Sequence, residues 1–308
     1  MDTIIEESPV LGNESQQTRH APRKFALRII RFPLTRILIA VLMVGAAANV
    51  VRLLLIWLYD KFELGTLNQA TLIYAVPVIL AVHAAYVLYV RLIERRPAFE
   101  LKMRGMAREV GVGLLIGGGL FTATAALLWV LGLYEVVGVN GWMAMVAPFA
   151  AALMAGYVEE IFFRGILFRI LEEGLGSWLA LALSSALFGL MHVANPGATV
   201  LSTVAIVLEA GILLGSAFMM TRRLWMAMGL HFSWNFVQGG IFGINVSGFK
   251  MGGLFQSHLQ GPDVLTGGAF GVEASVVALT LCLLVSGYFI LRIWKKGGTV
   301  KPLWKRGS

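Results

Sequence analysis

Residues 155–171 read AGYVEEIFFRGILFRIL, an apolar helical pattern with Glu159, Glu160 and Arg164 at its centre. A charged side chain at the middle of a bilayer costs about 2.5–3.5 kcal/mol on insertion scales, so such residues need a partner or a function. Glu160 and Arg164 are four residues apart and share one helix face, which predicts an ion pair between them. Glu159 points about 100° away from Glu160 and has no partner in this stretch.

The composition of the whole chain predicts a membrane protein. Of the 308 residues, 58% are hydrophobic and 14% are charged, and the mean hydropathy is +0.78. Soluble domains carry about 25% charged residues, so these values exclude a soluble globular domain, a disordered chain and a disulfide scaffold. Cys282 is the only cysteine, which also excludes a zinc site built from cysteines. We therefore expect an all-α, polytopic membrane protein.

Eight apolar runs indicate about eight transmembrane helices, each of which needs about 20 residues to cross a bilayer. They lie at 37–59, 68–90, 109–133, 142–168, 178–193, 199–220, 224–243 and 270–291. The runs predict one transmembrane domain at 37–293, between basic tails at 1–36 and 294–308. The fifth run is short and ends at the helix-stopping residues 195–197. Irregular backbone at that depth is tolerated where it lines a wet cavity, so a water-filled pocket is expected there.

The positions of the basic residues predict the orientation of the helices. With eight spans, the tails and loops on one side of the membrane carry 21 of the 25 Lys and Arg residues. Cytoplasmic segments are enriched in Lys and Arg, so both termini are expected in the cytoplasm, in a prokaryotic cytoplasmic membrane. This asymmetry accounts for the net charge of +8 without a nucleic-acid partner.

Other polar side chains inside the spans are candidates for function. They are Arg52, His83, His192, Glu209, His231 and Asn235. His192 follows Phe188 by one helical turn, and His231 and Asn235 share one helix face. Taken singly, each has a structural alternative, because a lone histidine often only packs and an i, i+4 pair can bond a neighbouring helix. Glu209 either bonds one of these residues or pairs with another helix.

Depth along the helices suggests that three of these residues meet. At 1.5 Å per residue, Glu159 lies roughly 21 Å above Glu173, and His192 lies roughly 20 Å along the next helix of the same hairpin. His231 lies roughly 12 Å beyond Arg223 by the same rise. The hairpin tip is expected to protrude from the membrane, which brings all three side chains to one level in its cytoplasmic half.

Three motifs follow one another on successive helices. They are Glu-Glu-x-x-x-Arg at 159–164, Phe-x-x-x-His at 188–192 and His-x-x-x-Asn at 231–235. This order resembles the CPBP family of intramembrane proteases, which includes the type II CAAX prenyl endopeptidase and bacterial Abi proteins. The resemblance covers roughly residues 140–243, which form the expected protease core.

The resemblance implies a catalytic role for Glu159, with Glu160 and Arg164 in support. His192, His231 and Asn235 are expected to complete the site, with Phe188 and Glu209 as supporting residues. Two chemistries remain open. Glu159 can activate water as a general base, with Asn235 and a histidine donating hydrogen bonds to the oxyanion. Alternatively, Glu159, His192 and His231 hold zinc or another divalent metal with an open position for water.

The sequence therefore predicts an intramembrane endopeptidase that cleaves near the cytoplasmic face. Its expected partners are membrane lipids and a membrane-embedded or lipid-anchored substrate, of the CAAX type if it follows the family name. One alternative is a non-catalytic immunity or scaffold protein of the same fold. Another is a proton-coupled transporter with a Glu/His relay, which the absence of a sequence repeat disfavours.

Overall fold

The structure, a computed structural model, describes residues 30–64 and 71–306. The predicted N-terminal tail at 1–36 thus lies outside the described residues as far as residue 29. The first three helices are α1 (Pro33–Lys61), α2 (Leu72–Tyr89) and α3 (Met106–Val130), and a π-helical turn at Val90–Glu94 extends α2. Large apolar side chains such as Leu38, Leu115 and Leu284 are exposed on the outside of the bundle, as expected for a surface that contacts lipid.

Helices α4 (Val146–Glu160) and α5 (Arg169–Met191) form the hairpin that carries the first two motifs. A π-helical stretch at Ile161–Phe168 joins them without a break in the helix. The chain turns back at Gly176, which has φ 76° and ψ 169°. Glycine is favoured there, because a β-carbon would be strained at this φ and would lie 2.8 Å from the carbonyl oxygen of Val300.

The remaining chain completes the bundle and adds a small sheet. Helix α6 (Val200–Ile206) continues through a π-helical turn into α7 (Ile212–Thr221), and α8 (Trp225–Asn235) continues through Phe236–Ile241. Strands β1 (Tyr134–Val139) and β2 (Phe255–Leu259) pair antiparallel, followed by the short α9 (Asp263–Thr266) and by α10 (Val276–Lys295). The sequence did not predict the strands, because more than 100 residues separate them and neither has a local partner.

The all-α membrane class is confirmed, whereas the count of eight spans is not. Within the described residues, six helices are long and apolar enough to cross a membrane. Predicted spans four and five fall in one helical segment, Trp142–Ala194, which consists of two helices that meet at the turn at Gly176. Predicted span seven is shorter than expected, at Trp225–Ile241. Span eight begins at Val276 rather than 270, because the Ser275 side chain caps the helix by accepting from Ala278 N at 3.1 Å.

Three glycines hold α8 at the centre of the bundle. Gly113 and Gly117 of α3 lie against the backbone of α8, where a side chain would collide with Met226 and Leu230. A β-carbon at Gly156 of α4 would lie 2.8 Å from the backbone nitrogen of Phe232. Such close backbone approach is typical of small residues at helix contacts in membranes. It brings the third motif next to the first.

One end of the bundle, which we call the basic face, is held by ion pairs between helices. Arg36 bonds Glu94 at 2.6 Å and Glu173 at 3.0 Å, and Arg169 bonds Glu94 at 2.7 Å. Although burial opposes ionisation, Arg169 and Arg36 lower the pKa of Glu94 to about 2. The chain beyond α10 joins the same face, since Val300 N donates to Ser177 Oγ at 2.8 Å.

Candidate active site

A buried ion pair anchors the site. Glu160 Oε1 accepts hydrogen bonds from Arg164 Nη1 at 2.8 Å and from His231 Nδ1 at 3.0 Å. The predicted pair of Glu160 and Arg164 is therefore present, and it also contacts the third motif. Arg164 is 1% exposed, and its guanidinium carbon lies 4.8 Å from the centre of the Phe188 ring. That position over the ring face suits a cation–π contact.

Glu159 faces the other nitrogen of the same histidine. Its Oε2 lies 4.0 Å from His231 Nε2 and has no hydrogen-bond partner in the structure, although the atom is buried. The side chain as a whole is 26% exposed, and it lines a large groove. The structure thus brings Glu159 and His231 together, at the level that the helix lengths predicted.

Hydrogen bonds define the tautomer of each neutral histidine. His192 Nδ1 lies 2.7 Å from the carbonyl oxygen of Phe188, which can only accept, so Nδ1 carries the proton. His231 Nδ1 lies 3.0 Å from Glu160 Oε1, the oxygen that also accepts from Arg164 Nη1, so we assign the proton of His231 to Nδ1 as well. In the neutral rings both Nε2 atoms are then acceptors. In this tautomer a neutral histidine presents an acceptor to the groove, whereas the side-chain amide of Asn235 presents a donor.

The groove beside Glu159 has a volume of about 830 Å³. His192, His231 and Asn235 line it together with Glu159, so it brings all four predicted catalytic residues to one surface. The residues of α4 and the loop at 246–252 form most of the remaining wall, which is largely apolar. This groove is large enough to hold several residues of an extended peptide.

Glu209 lies behind the histidines. It lines a small cavity of about 40 Å³ that it shares with His192, His231 and Asn235. It is 2% exposed, its Oε1 accepts only from Cys282 Sγ at 3.7 Å, and its Oε2 has no partner. The cavity exceeds the roughly 10–15 Å³ that one water needs, so water can connect Glu209 to the site.

Replacing Glu209 separates its effect on the stability of the fold from its effect on activity. We expect Glu209→Leu to raise the melting temperature, because it removes a buried carboxyl group that has a weak partner only, and to lower turnover. Melting curves and initial rates of the purified protein measure both effects. Cys282→Ala is the control: it removes the weak thiol donor together with a buried core atom, so we expect a slightly lower melting temperature and unchanged turnover. Unchanged turnover in Glu209→Leu would make this residue purely structural.

Glu273 is a buried acid that the sequence reasoning missed. It lines the same small cavity, and its carboxylate accepts from Gln238 Nε2 and from the backbone nitrogen of Ser247. Burial raises the pKa of Glu273 to about 8, against the lowering effect of the hydrogen bond from Ser247. A signal was available, because residue 273 is a lone carboxylate inside the predicted last span at 270–291.

The pKa of Glu273 predicts a pH dependence of stability. Between the ordinary value of 4.5 and about 8, the folded protein keeps a proton that the unfolded chain has lost. Stability should therefore fall as pH rises through this interval, by at most about 1.4 kcal/mol per pH unit from this group. Melting temperatures measured across the interval should show the decline. Glu273→Gln should flatten it, and an equal slope in that variant would contradict the assignment.

The metal alternative, zinc or another divalent ion on Glu159, His192 and His231, stays a prediction. In the described part of the chain, no group of three or more His, Cys, Asp or Glu side chains converges closely enough to hold an ion. Of the predicted set, Glu159 and His231 are close to each other. Nδ1 of His192 bonds the carbonyl oxygen of Phe188 and Nδ1 of His231 bonds Glu160, which leaves Nε2 of each ring free, as in histidines that bind metals. The remaining polar residue, His83, bonds the Tyr157 hydroxyl at 2.6 Å, which agrees with a structural role.

The comparison with known families agrees with the motifs. Residues 140–237 match the family model described as type II CAAX prenyl endopeptidase Rce1-like. The match contains all three motifs, so the predicted resemblance to the CPBP family is confirmed for this part of the chain. With its apolar helices, the chain is an integral, multi-pass membrane protein. No curated protein and no solved structure matches it significantly.

Proposed function

We propose that the protein is an intramembrane endopeptidase in which Glu159 activates a water molecule. The observation that carries this proposal is the unpartnered Oε2 of Glu159, which lies 4.0 Å from the unprotonated Nε2 of His231 on the wall of the groove. Two hydrogen-bond acceptors at this distance need a donor between them. A water molecule that donates to both atoms satisfies them. Because Oε2 itself is buried while the side chain is 26% exposed to the groove, a small rotation of the Glu159 carboxylate admits this water.

The same geometry supports the full hydrolytic step. Glu159 takes a proton from the bound water, and the water oxygen forms a bond to the carbonyl carbon of the substrate. The side-chain amide of Asn235 donates a hydrogen bond to the oxygen that becomes negative. Collapse of this intermediate breaks the carbon–nitrogen bond, and Glu159 passes its proton to the leaving amine. His231 holds the water and is itself oriented by Glu160.

The substrate that fits this site is a membrane-associated protein. The large groove lies within the bundle, and an apolar groove of about 430 Å³ between α1, the π-helical stretch Ile161–Phe168 and α5 shares Met191 with it. Its lining residues are all apolar and include Ile37, Val41 and Leu190. A hydrocarbon chain fits such a lining, which agrees with the lipid-anchored substrates that the family name implies.

The test is cleavage of peptides by the purified protein in detergent or lipid. We expect hydrolysis of a membrane-anchored peptide that persists after treatment with a chelator. Loss of activity with chelator and its return with zinc would replace the glutamate-and-water mechanism by a metal mechanism. Cleavage rates of one peptide in its prenylated and unprenylated forms show whether the protein prefers a lipid-modified substrate. If neither these peptides nor a membrane peptide library is cut, the non-catalytic scaffold becomes the better account.

A further inference from the structure

The groove follows one helix toward one end of the bundle. Ala144, Ala147, Ala151 and Ala155 of the α4 region lie three or four residues apart and line it up to Glu159. This spacing places the alanines on one side of the helix. Opposite them lies the loop at 246–252. The groove therefore extends from the catalytic residues toward the start of α4, the end of the bundle where β1 and β2 pair.

The mouth of the groove is open at this end, which we call the sheet face. Met143 and Phe249, which line the groove there, are 61% and 51% exposed. Lys250 beside them is also exposed. A segment of chain can therefore reach the groove from the sheet face without unfolding of the loop.

The site is closed toward the basic face. Directly beyond Glu159, the chain continues as Glu160, Phe163 and Arg164, which are all at most 2% exposed. Phe188 of α5 packs on Phe163 with ring centres 4.9 Å apart. Beyond them lies the network of Arg36, Glu94, Arg169 and Glu173. Within the described residues, these buried rings and ion pairs fill the bundle between the site and the basic face. The opening on this side is lateral, through the apolar groove at Phe162 and Phe163 that shares Met191 with the large groove.

The distribution of basic residues orients the two faces. Arg36, Arg169 and the segment after α10 lie at the basic face, and the groove mouth has Lys250. Across the sequence, 21 of the 25 Lys and Arg residues belong to the basic-face segments of the predicted topology. The positive-inside rule then puts the basic face in the cytoplasm and the sheet face on the other side of the membrane.

We propose that the substrate enters the groove from the side of the membrane opposite the cytoplasm. That the occupant of the groove is a substrate rests on the proposed endopeptidase function. The direction of entry rests on the geometry of the groove alone. It differs from the expectation of cleavage near the cytoplasmic face. The occupant is an extended, mainly apolar peptide segment of a membrane-anchored protein, adjoining the non-cytoplasmic end of its anchor. The small alanine side chains in the α4 region leave room in the groove for the side chains of such a peptide, and the groove walls are apolar.

The single cysteine makes the direction of opening measurable in intact cells. In a Cys282→Ser background, new cysteines are placed one at a time by Lys250→Cys at the mouth, Ala151→Cys inside the groove and Lys301→Cys at the basic face. Cells are treated with a membrane-impermeant maleimide before and after permeabilisation. We expect the cysteines at 250 and 151 to react in intact cells, and the cysteine at 301 to react only after permeabilisation.

Each other outcome overturns the proposal. Reaction at 151 only after permeabilisation would mean that the groove opens to the cytoplasm. No reaction at 151 in either condition, with 250 labelled, would mean that the groove is closed. Reaction at 301 in intact cells would reverse the orientation. Size-exclusion profiles of the purified variants show which of them fold, and Ala147→Cys replaces Ala151→Cys if the latter does not. Because labelling needs no activity, it can fail or succeed independently of the endopeptidase.

Discussion

Protein carrying Glu159→Gln is expected to lose hydrolysis by about 10²–10⁴-fold, the usual contribution of a general base. The amide has nearly the shape of the carboxyl group but cannot take the proton from water. It can also donate a hydrogen bond to His231 Nε2, which lies 4.0 Å from the carboxylate, and so displace the water. Initial rates of peptide cleavage by purified variants measure the loss.

A matched control isolates the role of this carboxylate. Glu135→Gln makes the same chemical change at an exposed position of β1, and it should leave the rate unchanged. Melting temperatures of both variants should stay close to that of the unmodified protein, because Glu159 Oε2 makes no hydrogen bond that holds the fold. An active Glu159→Gln protein would remove Glu159 from the mechanism.

Arg164→Met is expected to be the most destabilising of these substitutions, at about 3–5 kcal/mol, because it leaves a buried charge on Glu160 without its partner. Glu160 is fully buried, so water cannot replace the guanidinium. The hydrogen bond that Glu160 Oε1 accepts from His231 Nδ1 would also lose the geometry that Arg164 imposes on the carboxylate. Thermal unfolding of the purified protein in detergent measures the change.

A double variant distinguishes the ion pair from simple packing. Glu160→Gln combined with Arg164→Met removes both charges, and we expect it to recover most of the lost stability. Activity should stay low, because the new amide no longer holds His231 as the carboxylate did. Glu173→Gln is the control, since the Glu173 side chain is half-exposed and its pairs with Arg36 and Arg169 are each worth about 0–1 kcal/mol. A double variant as unstable as the single one would refute the account of the ion pair.

The sequence predicted the helices well and their ends less well. Long apolar runs identify buried or lipid-facing helices, but ends depend on single contacts such as the cap at Ser275. A hairpin between the predicted spans 142–168 and 178–193 was expected, whereas the helix continues past residue 168 until the turn at Gly176, which was not expected. The pairing of β1 with β2 was also beyond the sequence, because it depends on where the bundle brings two distant loops.

The sequence predicted which residues form the site, but it did not predict the hydrogen bonds between them. The cost of charge in a membrane singled out Glu159, Glu160 and Arg164, and motif order added the histidines. Which nitrogen of His231 faces Glu160 depends on the approach of α4 to α8 at Gly156, which sequence spacing does not contain. Glu273 required the folding of a loop back over the histidines, so only its unusual position in an apolar run pointed to it.

The most direct test of the central claim is a map of new protein termini in membranes of cells that produce either the unmodified protein or Glu159→Gln. Both forms should accumulate to equal levels, so that only chemistry differs between the samples. We predict a set of peptide bonds that are cut in cells with the unmodified protein and stay intact in cells with Glu159→Gln. These bonds should lie in membrane-anchored proteins, next to apolar segments. Identical termini in the two samples would contradict the account.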